Sequence, residues 1–167
     1  MIKIFNSLLV TMFGLGKIKF MPGTFGSLAT TILLFYLFHS QNISSNTILI
    51  GLIIIFIYSF YAISSHTKGS KNKDPGEIII DEFLGQSIPI YLYEISHGTT
   101  KENNEAIVYY VLFFILFRYF DIMKPFPVNF FDKNFKNSFG VIMDDICAGL
   151  YVVLTVVCFM IVKDFAL

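Results

Sequence analysis

The segment that decides the fold is FMPGTFGSLATTILLFYLFHSQNISSNTILIGLIIIFIYSFYAISSHT, residues 20–67, which contains no Asp, Glu, Lys or Arg. A polar break, SQNISSN at residues 40–46, divides it into two apolar stretches. We expect helices over Thr24–Phe38 and Thr47–Ser65. The second approaches the roughly 20 residues that a membrane-spanning helix needs, and the first is shorter.

Three further apolar stretches predict helices over Ile78–Tyr93, Ala106–Met123 and Val141–Val162. The chain has 167 residues, of which 55% are hydrophobic and 14% charged; an ordinary soluble domain is about 25% charged. We therefore predict an all-α fold, a small polytopic helical membrane protein with about five membrane-embedded helices in a single domain, residues 1–167. The alternative is a soluble helical bundle with an apolar core, because short apolar segments are often buried core helices.

The basic residues predict how the helices are oriented. Five spans place successive loops on alternating sides, and the positive-inside rule makes the side richer in Lys and Arg cytoplasmic. The richer side holds Lys3, Lys17, Lys19, Lys68, Lys71, Lys73, Arg118, Lys124, Lys133 and Lys136, whereas the other holds Lys101 and Lys163. Residues 1–13 lack a following cleavage signal, so we expect a retained amphipathic helix on the membrane surface. Basic and acidic residues balance, 12 against 12, so the composition gives no sign of nucleic-acid binding.

Polar clusters at the ends of four predicted helices fall on this same side. They are PGTFGS at residues 22–27, DEFLG at 81–85, RYFDIMKP at 118–125 and DDICAG at 144–149. Ionisable groups within membrane-embedded segments are costly and usually functional. The convergence of these clusters therefore predicts a functional site at the membrane surface.

Two acidic pairs, on different predicted helices, are candidate metal ligands: Asp81 with Glu82, and Asp144 with Asp145. Carboxylate oxygens suit Mg²⁺ or Mn²⁺, and four gathered carboxylates need cations near them. The alternative is that acidic side chains near helix N-termini are stabilised by the helix dipole alone.

Each acidic pair is followed, about one helical turn on, by a small residue, Gly85 in the first helix and Gly149 in the second. We expect Gly85 to leave room for another helix or a ligand. Glu77 and Asp81 are spaced i,i+4, which predicts that they share one helix face.

Candidate phosphate ligands are Arg118 and Lys124, the first with a planar fork and the second with a point charge. Asp121, between them at helical spacing, would orient one of them or join the metal shell. The alternative is an intrahelical ladder of salt bridges at a helix C-terminus. Thr24 either caps a helix or helps to hold an anion at a helix N-terminus.

Several familiar catalytic motifs are absent from the sequence: the C-x₅-R phosphatase loop, the GxxxxGK[ST] phosphate loop and the GxSxG nucleophile elbow. What remains is a group of acids and a basic pair at a membrane surface. This combination favours metal-assisted phosphoryl chemistry on a lipid.

Taken together and in this order, the four motifs resemble those of the phosphatidylglycerophosphatase A family over about residues 14–157. The resemblance implies a Mg²⁺-dependent phosphatase of the bacterial inner membrane, with its active site facing the cytoplasm. It implies a phospholipid substrate, phosphatidylglycerophosphate, which is hydrolysed to phosphatidylglycerol and phosphate without a nucleotide cofactor.

Under this hypothesis the candidate site residues take three roles. The catalytic candidates are Asp81, Asp121 and Asp145; the phosphate-binding candidates are Arg118, Lys124 and Thr24; the metal-binding candidates are Asp81, Glu82, Asp144 and Asp145. Direct attack by water and an aspartyl-phosphate intermediate both remain open.

Two other functions remain as alternatives. A small transporter or channel subunit would also carry buried acids and helix-breaking Gly and Pro. A lipid-headgroup transferase would use similar acids, but the DGxxAR string expected of one such class is missing.

Overall fold

The computed structural model describes residues 2–69, 75–97 and 103–166. Lys71, Lys73 and Lys101, which entered the charge count, lie outside these residues. Over the described residues the chain is all helical and has no strand. The helices are α1 (Ile2–Val10), α2 (Pro22–Phe35), α3 (Ser45–His66), α4 (Ile80–His97), α5 (Asn103–Met123), α6 (Val128–Asn134) and α7 (Ser138–Ala166). A short 3₁₀ turn (Leu15–Lys17) precedes α2, and a π-helical turn (Tyr36–Ser40) extends it.

The prediction of an all-α fold is confirmed, and α2, α3, α4, α5 and α7 match the five predicted helices. The helix α6 was not predicted. The expected i,i+4 pairing of Glu77 and Asp81 is wrong, because α4 begins only at Ile80. Glu77 lies before the helix, where its Oε1 is 2.8 Å from Nε2 of His66.

Three helices within the described residues are long and apolar enough to cross a membrane: Ser45–His66, Asn104–Met123 and Ser138–Lys163. The expected count of about five is not confirmed. The helix α2 has only 14 residues, and α4 carries Asp81, Glu82 and Glu94. The helix α2 is therefore too short, and α4 too rich in charged residues, to be counted among the three candidate membrane-spanning helices.

The helix α4 occupies the centre of the fold, packing most extensively against α7 and also against α2, α3 and α5. Two apolar clusters surround it. One includes Ile90 and Phe117, and the other includes Ile63 and Ile142, all of them fully buried. This central position brings the acidic first turn of α4 against the ends of three other helices.

A separate polar cluster lies toward the C-terminal end of α4. Oε1 of Glu94 is 3.0 Å from Nε2 of His39 and accepts a hydrogen bond from the Tyr110 hydroxyl at 2.9 Å. Glu94 follows Asp81 by thirteen residues, which corresponds to about 20 Å along α4. The cluster joins α2, α4 and α5 at the end of the bundle away from the acidic pairs.

Candidate active site

Three carboxylates meet where the first turn of α4 faces α7. Asp81, Glu82 and Asp145 each offer one oxygen, and these oxygens all lie within 4.8 Å of one another. Asp81 and Asp145 are buried. Oε2 of Glu82 and Oδ1 of Asp145 are buried without a hydrogen-bond partner among the described residues. Buried carboxylates so close together repel unless a cation or protons lie between them, and their hard oxygens are the ligands that Mg²⁺ and Mn²⁺ prefer.

Close approach of α4 and α7 creates this group of carboxylates. A Cβ at Gly85 would overlap the backbone carbonyl of Asp145, and a Cβ at Gly149 would overlap the carbonyl of Gly85. The two helices therefore touch backbone to backbone one turn beyond the carboxylates. The expectation that Gly85 leaves room for another helix is confirmed.

The N-terminus of α2 completes one wall of the site. A Cβ at Gly23 would overlap Oε1 of Glu82 and lie 3.2 Å from Nη1 of Arg118. A side chain at this position would displace the Glu82 carboxylate, so Gly23 lets that carboxylate lie against the first turn of α2. The neighbouring Thr24 places its hydroxyl oxygen in the interior, without a hydrogen-bond partner among the described residues.

Arg118 and Asp121 form an ion pair on the last turns of α5. Nη1 of Arg118 lies 2.5 Å from Oδ2 of Asp121, and both side chains are largely buried. Nε of Arg118 is a buried donor without a hydrogen-bond partner in the described part of the chain. The ion pair therefore fixes the guanidinium while leaving donor capacity for an anion.

Lys124 is held differently, between two acids. Its Nζ lies 3.1 Å from Oδ2 of Asp144 and 3.1 Å from Oδ1 of Asp132. Burial opposes the charge on Lys124, but the carboxylates of Asp144 and Asp132 outweigh it and raise the pKa of Lys124 above its ordinary value. Asp144 therefore pairs with Lys124, whereas the other three candidate metal ligands, Asp81, Glu82 and Asp145, form a separate group.

Asp132 was missed by the sequence reasoning. It lies on α6, a seven-residue helix after Pro125 and Pro127 that was itself not predicted. The available signal was a lone acid eight positions after Lys124, which is too weak to place it beside the site.

The candidate residues line one cavity of about 300 Å³. All of the predicted site residues except Thr24 lie on its wall, and Thr24 follows Gly23, which does. The lining residues are Met21, Pro22, Gly23, Gly76, Ile78, Asp81, Glu82, Arg118, Asp121, Ile122, Lys124, Asp144 and Asp145. One pocket thus combines clustered carboxylates with two cationic side chains, an arrangement suited to a phosphate group and a divalent cation.

Comparison with known proteins places the chain in a protein family. The family model described as Phosphatidylglycerophosphatase A matches residues 8–160. The chain belongs to the phosphatidylglycerophosphatase A family. This confirms the resemblance carried by the four sequence motifs, and membership of the phosphatidylglycerophosphatase A family supports a phosphatase.

Curated relatives agree in extent with the family match. A Haemophilus influenzae protein named Phosphatidylglycerophosphatase A is 37% identical, covering 89% of this chain and 85% of the relative. An Escherichia coli protein of the same name is 31% identical, covering 86% and 76%. A Bacteroides thetaiotaomicron protein named "Putative phosphatidylinositol-3-phosphatase" is 32% identical, covering 86% of each chain. No solved structure matches this chain.

Proposed function

We propose that the chain is a Mg²⁺-dependent phosphatase that hydrolyses phosphatidylglycerophosphate to phosphatidylglycerol and phosphate. It is a multi-pass protein of the bacterial inner membrane, with its active site on the cytoplasmic side. The observation that carries the proposal is the cavity in which Asp81, Glu82 and Asp145 face Arg118 and Lys124.

The donor set fits a magnesium ion. Asp81, Glu82 and Asp145 would hold it, since they supply three carboxylate oxygens from two helices within 4.8 Å. Buried oxygens of Glu82 and Asp145 have no hydrogen-bond partner among the described residues, so a cation would offset their desolvation. When bound, the ion would neutralise charge that builds on the phosphoryl oxygens.

The remaining side chains bind and orient the phosphomonoester. Arg118 uses its guanidinium donors on the phosphoryl oxygens while Asp121 keeps that group in place. Lys124, which lines the same cavity, supplies a second positive charge. Water attacks phosphorus in line with the leaving ester oxygen, and an oxygen of Asp81 or Asp145 takes the proton of that water. The P–O ester bond breaks, and the carboxyl group that took the proton of the water passes it to the leaving glycerol oxygen.

The exterior of the bundle supports the membrane location. Large apolar side chains are exposed along whole helices, among them Ile50, Ile54 and Ile57 on α3 and Leu154 and Phe159 on α7. Exposed apolar surface on this scale is typical of a surface covered by lipid or partner protein. A diacyl substrate has its chains in the same bilayer and its phosphate at the interface.

Phosphate release by the detergent-purified protein tests the proposal. The substrates are phosphatidylglycerophosphate, phosphatidic acid and a soluble phosphomonoester, each with Mg²⁺ and with EDTA. We expect release from phosphatidylglycerophosphate that stops with EDTA and returns with added Mg²⁺. No release from any substrate by a folded preparation would reject the phosphatase and favour the transport alternative, which a liposome flux assay then tests.

A second substrate belongs in the same assay because of one relative. The Bacteroides thetaiotaomicron protein is named "Putative phosphatidylinositol-3-phosphatase". Phosphatidylinositol 3-phosphate, like phosphatidylglycerophosphate, carries a phosphomonoester above two acyl chains. Faster phosphate release from phosphatidylinositol 3-phosphate than from phosphatidylglycerophosphate would support the proposed phosphatase activity and would contradict the proposed substrate.

A further inference from the structure

Two side chains on the rim of the cavity are apolar and open to the exterior. Met21 and Ile122 both line the cavity, yet their side chains are 47% and 62% exposed. Met21 immediately precedes α2, and Ile122 lies in the last turn of α5. The charged pocket therefore opens beside apolar surface.

Each rim residue begins an apolar stripe. The α2 stripe consists of Met21, Phe25, Leu28 and Ile32, and the α5 stripe consists of Ile122, Tyr119, Ile115 and Val111; all eight are exposed. The spacings of three and four residues keep Phe25, Leu28 and Ile32 on one face of α2 and the second set on one face of α5. Met21 precedes α2 and adjoins the first set at the rim of the cavity. Both stripes thus run from the mouth of the cavity along the outside of the bundle.

The two stripes belong to neighbouring antiparallel helices. At one end, Gly23 of α2 lies beside Arg118 of α5. At the other end, the rings of Phe35 and Tyr110 are 5.4 Å apart. The helices α2 and α5 therefore stay together from the charged cavity to the far side of the bundle.

The length of the stripes matches the depth of one leaflet. From Pro22, the first residue of α2, to Ile32 the helix rises about 15 Å at the standard 1.5 Å per residue. Half of a bilayer's hydrocarbon core is about 15 Å thick. A lipid whose phosphate lies among Arg118 and the carboxylates would have its chains alongside the stripes to the middle of the bilayer.

We propose that the α2 and α5 stripes bind the acyl chains of the phospholipid substrate, which enters the cavity sideways from the membrane between Met21 and Ile122. This inference rests on the proposed function and adds the route and the chain-binding surface. It makes Met21 and Ile122 residues that distinguish a membrane lipid from a soluble phosphomonoester.

A larger apolar groove between α3 and α4 is the competing location. It has a volume of about 350 Å³ and includes Leu49, Ile53, Phe56 and Leu84 in its lining. Leu84 follows Asp81 by three residues, on the same side of α4, but the groove shares no lining residue with the charged cavity. Acyl chains lying in this groove would not run along Met21 and Ile122, so the two locations can be told apart by experiment.

Photolabelling separates the two locations without requiring turnover. The probe is a non-hydrolysable phosphonate analogue of phosphatidylglycerophosphate with a diazirine in mid-chain, and the control is phosphatidylcholine with the same diazirine. We expect the phosphonate to label residues 25–32 and 111–122 several-fold more than residues 49–57, and phosphatidylcholine to label all three segments alike. Equal labelling by both probes, or enrichment at residues 49–57, would overturn the proposal.

Kinetics in mixed micelles provide a second test. Ile122→Gln should raise KM for phosphatidylglycerophosphate about tenfold, because a polar group replaces an apolar chain contact. Its kcat and its Mn²⁺ affinity should stay unchanged. The matched control is Ile54→Gln on α3, at a residue that is 61% exposed and outside the cavity lining. Equal KM values in the two variants would reject the route while leaving the measured phosphatase activity intact.

Discussion

Gly149 of α7 lies against the carbonyl oxygen of Gly85 in α4, so closely that a Cβ at Gly149 would overlap that oxygen. Because this contact joins backbone to backbone, it fixes how far apart the two helices lie one turn earlier. There, Glu82 and Asp145 bring their carboxylates together. The spacing of the proposed metal site therefore depends on two residues that have no side chain.

Gly149→Val should damage both stability and activity. The added side chain pushes α7 away from α4, at a cost of about 1–3 kcal/mol for overpacking, and it separates Glu82 from Asp145. Thermal unfolding in detergent and phosphate release measure the two effects. Gly51→Val on α3 is the control, because a Cβ there meets no heavy atom within 4 Å. Equal unfolding temperatures for the two variants would contradict this account of the helix crossing.

Asp81→Asn should lower turnover by about 100-fold or more, because it removes a charge from the proposed metal site, while the protein still folds and inserts. Mn²⁺ binding, followed by electron paramagnetic resonance, should weaken in the same variant. Glu105→Gln makes the equivalent change at an exposed carboxylate in the first turn of α5 and should alter neither quantity. Retained activity in Asp81→Asn would remove Asp81 from the site.

Lys124 and its two partners should respond unequally to substitution. Asp132→Asn weakens one partly exposed ion pair, so we expect a stability change below about 1 kcal/mol and near-normal turnover. Lys124→Met removes the proposed phosphate charge and leaves Asp144 and Asp132 facing each other. We expect a large loss of kcat/KM in that variant. Similar kcat/KM values in both would show that Lys124 acts only as a structural link between α6 and α7.

Tyr110→Phe tests the polar cluster far from the site. It removes the hydroxyl that donates to Glu94 and leaves His39 as the partner given by the structure, so stability should fall by about 1 kcal/mol. Turnover per folded molecule should be unchanged, because the cluster is about 20 Å along α4 from Asp81. Tyr36→Phe, at an exposed tyrosine bonded to Gln41, should have little effect on either. A tenfold fall in turnover for Tyr110→Phe would reveal coupling between the two ends of the bundle.

The sequence by itself determined the five long helices and the side chains of the site. Apolar runs interrupted by polar breaks specify helices locally, and Pro125 and Pro127 end α5 wherever its partners lie. The four motifs identified the family, and seven of the eight candidate site residues line one cavity. These features were accessible because each depends on residues close together along the chain.

Only the tertiary structure decided which charged groups meet. Asp144 and Asp145 are adjacent in sequence, yet one faces Lys124 and the other faces Glu82, because successive residues on a helix point about 100° apart. The role of Asp132 depends on α6 folding back onto α7, and the pairing of Glu77 with His66 depends on α4 beginning at Ile80. Such pairings follow from how helices cross, and helical periodicity specifies the faces of one helix without specifying the partner that each face contacts.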